Sequence, residues 1–337
     1  MGAFVHPCQT IRKKLPSDSA SVCGVFADSV IASRELLVDL PWKWTLIYAD
    51  EEAGDDPDMC GSTWALRREL EKGDGSKFAP YVRLLLQQDV GIPNAWSGEG
   101  LDLLNKVVGP NLVPRDNTRH LEWWESSCHG DPVEDPFGAN AALIQVARAV
   151  VVHEYGPGGQ VHQSRTIMAP YYDLYNHRNG RWHNTLVVAE LFQKFQVYAR
   201  TDIAAGEQIY NSYSNQWAVS EVFRDYGFVE QAPRTWHFDV PEVEDGVSGL
   251  YPMKFMVDDD KLLTWIEPAP QPPGPARAFL LSELERLDVV RRWADENREA
   301  VGRVPENEAS KVWAYHSALS DALRAAEQGL PGRSDEL

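Results

Sequence analysis

Strand-like segments stand on both sides of a long helical run, and that order leaves the chain few folds. Gly24–Ala27 and Glu35–Pro41 read as short β-strands joined by a turn, with Pro41 ending the second. From about Thr63 the pattern becomes helical. Trp64–Glu71 stops at Gly73, and Tyr81–Leu86 stops near Gly91-Ile92-Pro93. Leu101–Val108, His120–Trp124 and Ala141–His153 supply further helical segments. Strands resume at Val161–Met168, after the turn signal Gly156-Pro157-Gly158-Gly159, and again over Thr185–Arg200. There Phe195, Val197 and Ala199 alternate with Lys194, Gln196 and Tyr198, the period of a half-buried strand. The same strand character on both sides implies one β-rich domain interrupted by a helical insertion.

After Phe228 the chain reads as irregular and acidic, then proline-rich from Pro268 to Pro275. Two long helices are expected next. Leu280, Leu284, Leu287, Val290 and Trp293 step by three and four, which places them on one face. Val312, Leu319, Leu323 and Ala326 repeat the pattern after Pro305, a residue suited to a first helical turn. Both stripes read as packing faces of a helical pair. The expected class is α+β: a β-rich domain over 1–235, its helical insertion at about 50–155, and a helical lobe over 236–337.

With 337 residues the chain is long enough to bury a sizeable core. Its formal charge of −18 argues against non-specific nucleic-acid binding, which needs Lys and Arg to displace counterions from phosphates. A solvated acidic surface accounts for that charge, and a basic protein partner is compatible with it. Cys8, Cys23, Cys60 and Cys128 include no C-x-x-C pair, so neither a zinc cluster nor a disulfide framework is expected. His177 and His183 with Asp173 lack further ligands at recurring spacing, so no metal is expected. No apolar run reaches the ~18–20 residues of a membrane span, and the first twenty residues carry no signal-peptide core. The final Ser334-Asp335-Glu336-Leu337 looks like a retention tail, but without an entry signal it reads as accidental, and a cytoplasmic or nuclear location is expected.

The most specific stretch runs from Asp173 to Phe228. It holds Asp173-Leu174-Tyr175-Asn176-His177, then Gly206-Glu207-Gln208-Ile209-Tyr210-Asn211-Ser212-Tyr213, then Tyr226-Gly227-Phe228. An Asn-His pair, a tyrosine after a Gly-Glu-x-Ile strand, and a Tyr-Gly-Phe in this order resemble the core of SET-domain methyltransferases. The likeness is greatest to the branch with the Rubisco large-subunit lysine methyltransferase and the actin-histidine methyltransferase. The absence of cysteine-rich zinc clusters points to the same branch, which carries a helical insertion and a helical lobe.

The resemblance implies S-adenosylmethionine as methyl donor and a non-histone protein lysine as acceptor. It maps the catalytic tyrosine to Tyr213 and the substrate-side residues to Tyr226 and Phe228. It maps cofactor binding to Asn176 and His177, with Asp173 supporting the turn. With less specificity it adds Gly24 and Phe26 of the glycine loop, Glu71 before Ser-x-Phe-Ala-Pro-Tyr, and Arg148. A protein substrate bound through the insertion and the C-terminal lobe is implied, with no nucleic-acid or membrane partner and a monomeric chain. Histidine methylation is the alternative. Val22 at the loop's first glycine position, Ser214 after Tyr213, and Ala218-Val219 where Ser-Asn is usual motivate a further alternative, a catalytically weak protein-binding module.

Overall fold

The computed structural model describes residues 3–13, 23–45, 59–87, 90–110, 119–155, 160–190, 194–214, 217–244, 247–266 and 273–330. The chain forms two compact units. The first comprises Met1–Val90 and Thr118–Asn215, the second Gly91–Asn117 and Gln216–Leu337. This division differs from the boundary at 235 read from the sequence.

In the first unit β1 (Phe4–Val5), β2 (Gln9–Lys13), β3 (Cys23–Ala27) and β4 (Leu36–Pro41) precede the helices. The insertion supplies α1 (Cys60–Lys72), α2 (Ala79–Gln87), α3 (Gly98–Val108), α4 (Arg119–Cys128) and α5 (Pro136–Arg148). Strands β5 (Val150–Tyr155), β6 (Val161–Ile167), β7 (Asn176–His177), β8 (Thr185–Glu190), β9 (Lys194–Ala199) and β10 (Tyr210–Asn211) follow. They assemble as small sheets: β1-β4-β9-β8, β2-β3, β5-β6, and the parallel pair β10-β7. Alternation on β9 sends Phe195, Val197 and Ala199 into a core shared with Val25, Ile31, Leu37, Val38, Ile203 and Ile209. A second core, from Leu66, Leu70, Val82, Leu85 and Ile144, joins α1, α2 and α5.

Two expectations are corrected here. The helix expected to run to His153 ends at Arg148, and β5 begins at Val150. Three consecutive β-branched valines favour a strand there over another helical turn. The single strand expected over Thr185–Arg200 is the hairpin β8–β9, paired from Thr185↔Ala199 to Glu190↔Lys194. No Gly or Pro punctuates that stretch, so the sequence alone gives no sign of the reversal.

The cysteines correct a third. Cys60, the first residue of α1, is disulfide-bonded to Cys128, the last of α4, with Cα atoms 5.2 Å apart. They are 68 positions apart in sequence, and only the packing of the helices brings them together. Trp64 closes over the bridge: its Nε1–H donates to Cys128 O at 3.3 Å, and its ring lies 4.6 Å from that of Trp124.

The second unit is not a purely helical lobe. The stretch read as irregular forms β11 (Arg234–Glu244), β12 (Val247–Val257) and β13 (Leu263–Trp265), an antiparallel sheet of order β11-β12-β13. Trp236, Phe238 and Val240 are fully buried and alternate with half-buried His237 and Asp239, whose polarity masked the pattern. Around the sheet lie α6 (Val219–Tyr226), α7 (Pro273–Glu296), α8 (Arg298–Val301) and α9 (Glu306–Gln328). Leu280 and Leu287 of α7 and Val312, Leu319 and Leu323 of α9 are fully buried in this core, as their spacing indicated.

Helix α3, read as part of the insertion, belongs to this second unit. Ser97 caps its start by accepting from Gly100 N–H at 3.0 Å and donating to Glu308 at 2.7 Å. Arg286 closes its end, donating to the carbonyls of Lys106 at 2.6 Å and Val107 at 2.9 Å. Among the described residues no helix is long and apolar enough to cross a membrane.

Candidate active site

Strands β7 and β10 pair in parallel, with Tyr210 opposite Asn176 and Asn211 opposite His177. Arg178 N–H extends the ladder to Asn211 O at 2.9 Å. This two-residue bridge carries the Asn-His pair to the start of the segment that bears Tyr213.

His177 is buried, and its Nδ1 accepts the backbone N–H of Tyr213 at 2.9 Å. That bond places the imidazole proton on Nε2. The two rings lie 4.9 Å apart at 33°. Asn179 holds the same segment from the other side: its Oδ1 accepts from Ser212 Oγ at 2.7 Å and its Nδ2 donates to Ser214 O at 3.1 Å. Tyr213 is therefore fixed by its own backbone and by both neighbours. Its hydroxyl donates to Tyr175 O at 3.3 Å. Burial pushes its pKa up to about 12; the Arg148 cation works against that rise and the Asp173 anion adds to it. The phenol is therefore protonated throughout the physiological range.

Asp173 sits on a 3-10 turn (Tyr172–Leu174) with its side chain 1% exposed. Its Oδ2 accepts from Tyr81 hydroxyl at 2.5 Å and from Arg148 Nη1 at 3.3 Å. Burial raises its pKa, against the opposing pull of Arg148 and Tyr81. Tyr81 is raised well above the ordinary phenol value, by burial first and then by the neighbouring carboxylate. Asp173 Oδ1 is buried with no hydrogen-bond partner.

Gly24 lies on β3 beneath two side-chain amides. Asn176 Nδ2 donates to Cys23 O at 3.0 Å. A Cβ at residue 24 would collide with Gln208 Nε2 and stand 2.7 Å from Asn176 Nδ2, so any side chain there would displace both amides. Phe26, two residues on, is buried, with the Arg12 guanidinium 4.5 Å above its ring.

The first unit thus gathers three linked clusters: Asn176 with Gly24, His177 with Tyr213, and Asp173 with Arg148. Glu71 is not among them; its side chain is 56% exposed and pairs with Arg67 on α1 at 2.8 Å. Val22 lies outside the described residues. Ser214 has no positive φ, so the backbone there does not call for the usual glycine. Tyr226 and Phe228 belong to the second unit. Tyr226 ends α6, Gly227 follows in the left-handed conformation at φ 72°, and the Tyr226 ring lies 6.0 Å from Trp217 and 6.4 Å from Phe228. Sequence reasoning missed Tyr81, Asn179 and Gln208 as members of the site. Only the position of Tyr81 at the end of the Ser-x-Phe-Ala-Pro-Tyr segment hinted at one of them.

No protein-family model and no curated protein sequence matches the chain. Solved structures do match it. The SET domain of LSMT bound to methyllysine and AdoHcy is 14% identical, with a TM-score of 0.55 over 97% of this chain and 87% of that one. Rubisco LSMT bound to AdoMet is 16% identical, with a TM-score of 0.52 over 94% of this chain and 86% of that one. Rubisco LSMT bound to sinefungin and monomethyllysine is 14% identical, with a TM-score of 0.52 over 96% and 87%. The likeness is one of fold: this chain is an α+β protein with the SET-domain architecture.

Proposed function

We propose that this SET-fold chain is an S-adenosylmethionine-dependent protein N-methyltransferase that modifies a lysine of a non-histone protein. The observation that carries the reading is the Asn176–His177 bridge with Tyr213 locked onto His177 Nδ1. The residues of the first unit also fit the cofactor. Gly24 leaves its side-chain space to the Gln208 and Asn176 amides, and two buried acceptors, Asp173 Oδ1 and Gln208 Oε1, lack a donor. Structural neighbours bound to AdoMet or AdoHcy support the same donor.

The bound cofactor supplies a sulfonium methyl group. What remains for the chain is to align an acceptor nitrogen at about 3–3.5 Å, exclude water, and keep the nitrogen's lone pair in line. A lysine of pKa ~10.4 is mostly protonated at neutral pH, and its deprotonation costs about 4.6 kcal/mol at ~1.36 per unit. An apolar, aromatic surrounding lowers that cost by disfavouring the charged form. Tyr213 suits the alignment: its hydroxyl proton is directed to Tyr175 O, which turns its oxygen into an acceptor for an amine N–H. With a pKa near 12 it holds that role without ionising. Asn179 and His177 keep it from swinging away.

Tyr226 and Phe228 are assigned to the substrate on the sequence resemblance, and the aromatic group they form with Trp217 has the apolar character such an assignment needs. The insertion and the C-terminal lobe are proposed to hold the protein substrate. Incubation with labelled methyl donor and an extract of the source cells, followed by mass spectrometry, tests the reading. Methyl on a lysine is expected. Methyl on histidine would replace the lysine assignment, and no transfer to any protein would refute both. Tyr213→Phe should abolish transfer while cofactor binding persists; unchanged turnover would remove Tyr213 from the chemistry.

A further inference from the structure

Gln208 precedes β10 on a segment that runs antiparallel to β3. Phe26 and Gln208 form an isolated bridge, and Ile209 N–H donates to Val25 O at 2.8 Å. Alternation along the segment sends Ile209 into the core and turns Gln208 to the opposite face, over Gly24. Gln208 is 7% exposed, and its Oε1 is buried with no hydrogen-bond partner. Its amide nitrogen fills the space that the absent Cβ of Gly24 leaves open, beside Asn176 Nδ2. A buried amide oxygen without a donor is costly, and native folds retain such a group where a bound partner satisfies it.

We infer that Gln208 is a further cofactor-binding residue, whose Oε1 accepts an N–H from the ammonium at the amino-acid end of S-adenosylmethionine. The inference rests on the methyltransferase reading above. Among the donors of that cofactor the ammonium is the cationic one, with three N–H groups that all need acceptors once removed from water. A charge-assisted bond to it is about twice as strong as one to a neutral donor. The unpaired amide oxygen of Gln208 meets that need without adding a buried carboxylate.

Calorimetric titration with S-adenosylhomocysteine, which keeps the amino-acid end and lacks the methyl, tests this on the full chain. Gln208→Leu removes the acceptor at similar size, and affinity is expected to fall about tenfold or more. Because the variant also removes a buried unpaired group, its Tm should equal or exceed that of the wild type. Gln208→Glu restores an acceptor with charge opposite to the ammonium; affinity at least equal to wild type is expected, weakening as salt rises. Unchanged affinity in Gln208→Leu would show that water satisfies the amide and would overturn the inference. Equal losses in the Leu and Glu variants would mark Gln208 as a packing residue and overturn it as well. Should Gln208→Leu fail to fold, Gln208→Glu decides alone, and a tenfold loss there is the refuting result. If the wild type binds no S-adenosylhomocysteine, the methyltransferase reading itself fails, an outcome distinct from these.

Discussion

Arg148→Met tests the electrostatics of the site from a single atom pair. Asp173 has a side chain 1% exposed, and its cationic partner Arg148 is 22% exposed. Burial raises the Asp173 pKa, and Arg148 is the foremost influence holding it down. Methionine keeps much of the apolar stem and removes the cation, leaving Asp173 with Tyr81 as hydrogen-bond donor. Breaking a buried pair from one side costs about 3–5 kcal/mol. The surviving Tyr81 bond places this case near the lower end, at about 3 kcal/mol, and without the Arg148 cation the Asp173 pKa rises further.

The pH dependence has a definite sign. The folded-state pKa of Asp173 lies above the ordinary carboxylate value, so its ionisation costs stability as pH rises. At low pH, where Asp173 is protonated in both proteins, the variant and the wild type should differ only by packing. As pH climbs from the wild-type folded pKa to the variant's higher one, the gap should open by about 1.36 kcal/mol per unit and then stay constant. Urea unfolding followed by tryptophan fluorescence, from about pH 4 to about pH 8, reads this directly. A loss that does not vary with pH would refute the reasoning. So would a loss below about 1 kcal/mol at the upper end of the range.

Three further outcomes are expected. Gly24→Ala forces the Gln208 and Asn176 amides out of their slot, and S-adenosylhomocysteine affinity should fall about tenfold, with up to about 1–3 kcal/mol of stability lost; equal affinity by calorimetry would separate the slot from the site. Asn179→Ala deletes both bonds that hold Ser212 and Ser214, so kcat should drop about 10- to 100-fold while S-adenosylhomocysteine affinity changes little; parallel losses in both would assign Asn179 to folding instead. The Cys60–Cys128 bridge spans 68 positions, and chain entropy credits it with about 4 kcal/mol, so reductant or Cys60→Ser should lower Tm by several degrees. Alkylation of unfolded, unreduced protein should tag Cys8 and Cys23 alone, and four tags would contradict the bridge.

Much of this architecture is local and therefore legible in the residues. The alternation of Phe195, Val197 and Ala199 and the three-and-four spacing of Leu280, Leu284 and Leu287 report burial one element at a time. The Asn-His pair and the Gly-Glu-x-Ile stretch likewise mark the β7–β10 bridge, because two short strands that carry chemistry leave little room for other residues. Polar residues hid the strand β11, because His237 and Asp239 on its outer face broke the apolar run that Trp236 and Phe238 would otherwise show. Glu71 drew attention through the segment around it, yet its exposed side chain pairs with Arg67 one turn earlier on the same helix.

The residues in order determine that this chain alternates between strand and helix, where its apolar faces lie, and that an Asn-His pair precedes a buried tyrosine. Only the tertiary structure decided that Cys60 meets Cys128, that α3 packs with α7 and α9, and that Tyr81 and Arg148 converge on Asp173. It also placed Gln208 over Gly24. Periodicity is a property of neighbouring residues along the chain. Contacts between side chains tens of positions apart depend on how whole elements dock, and no local pattern records that.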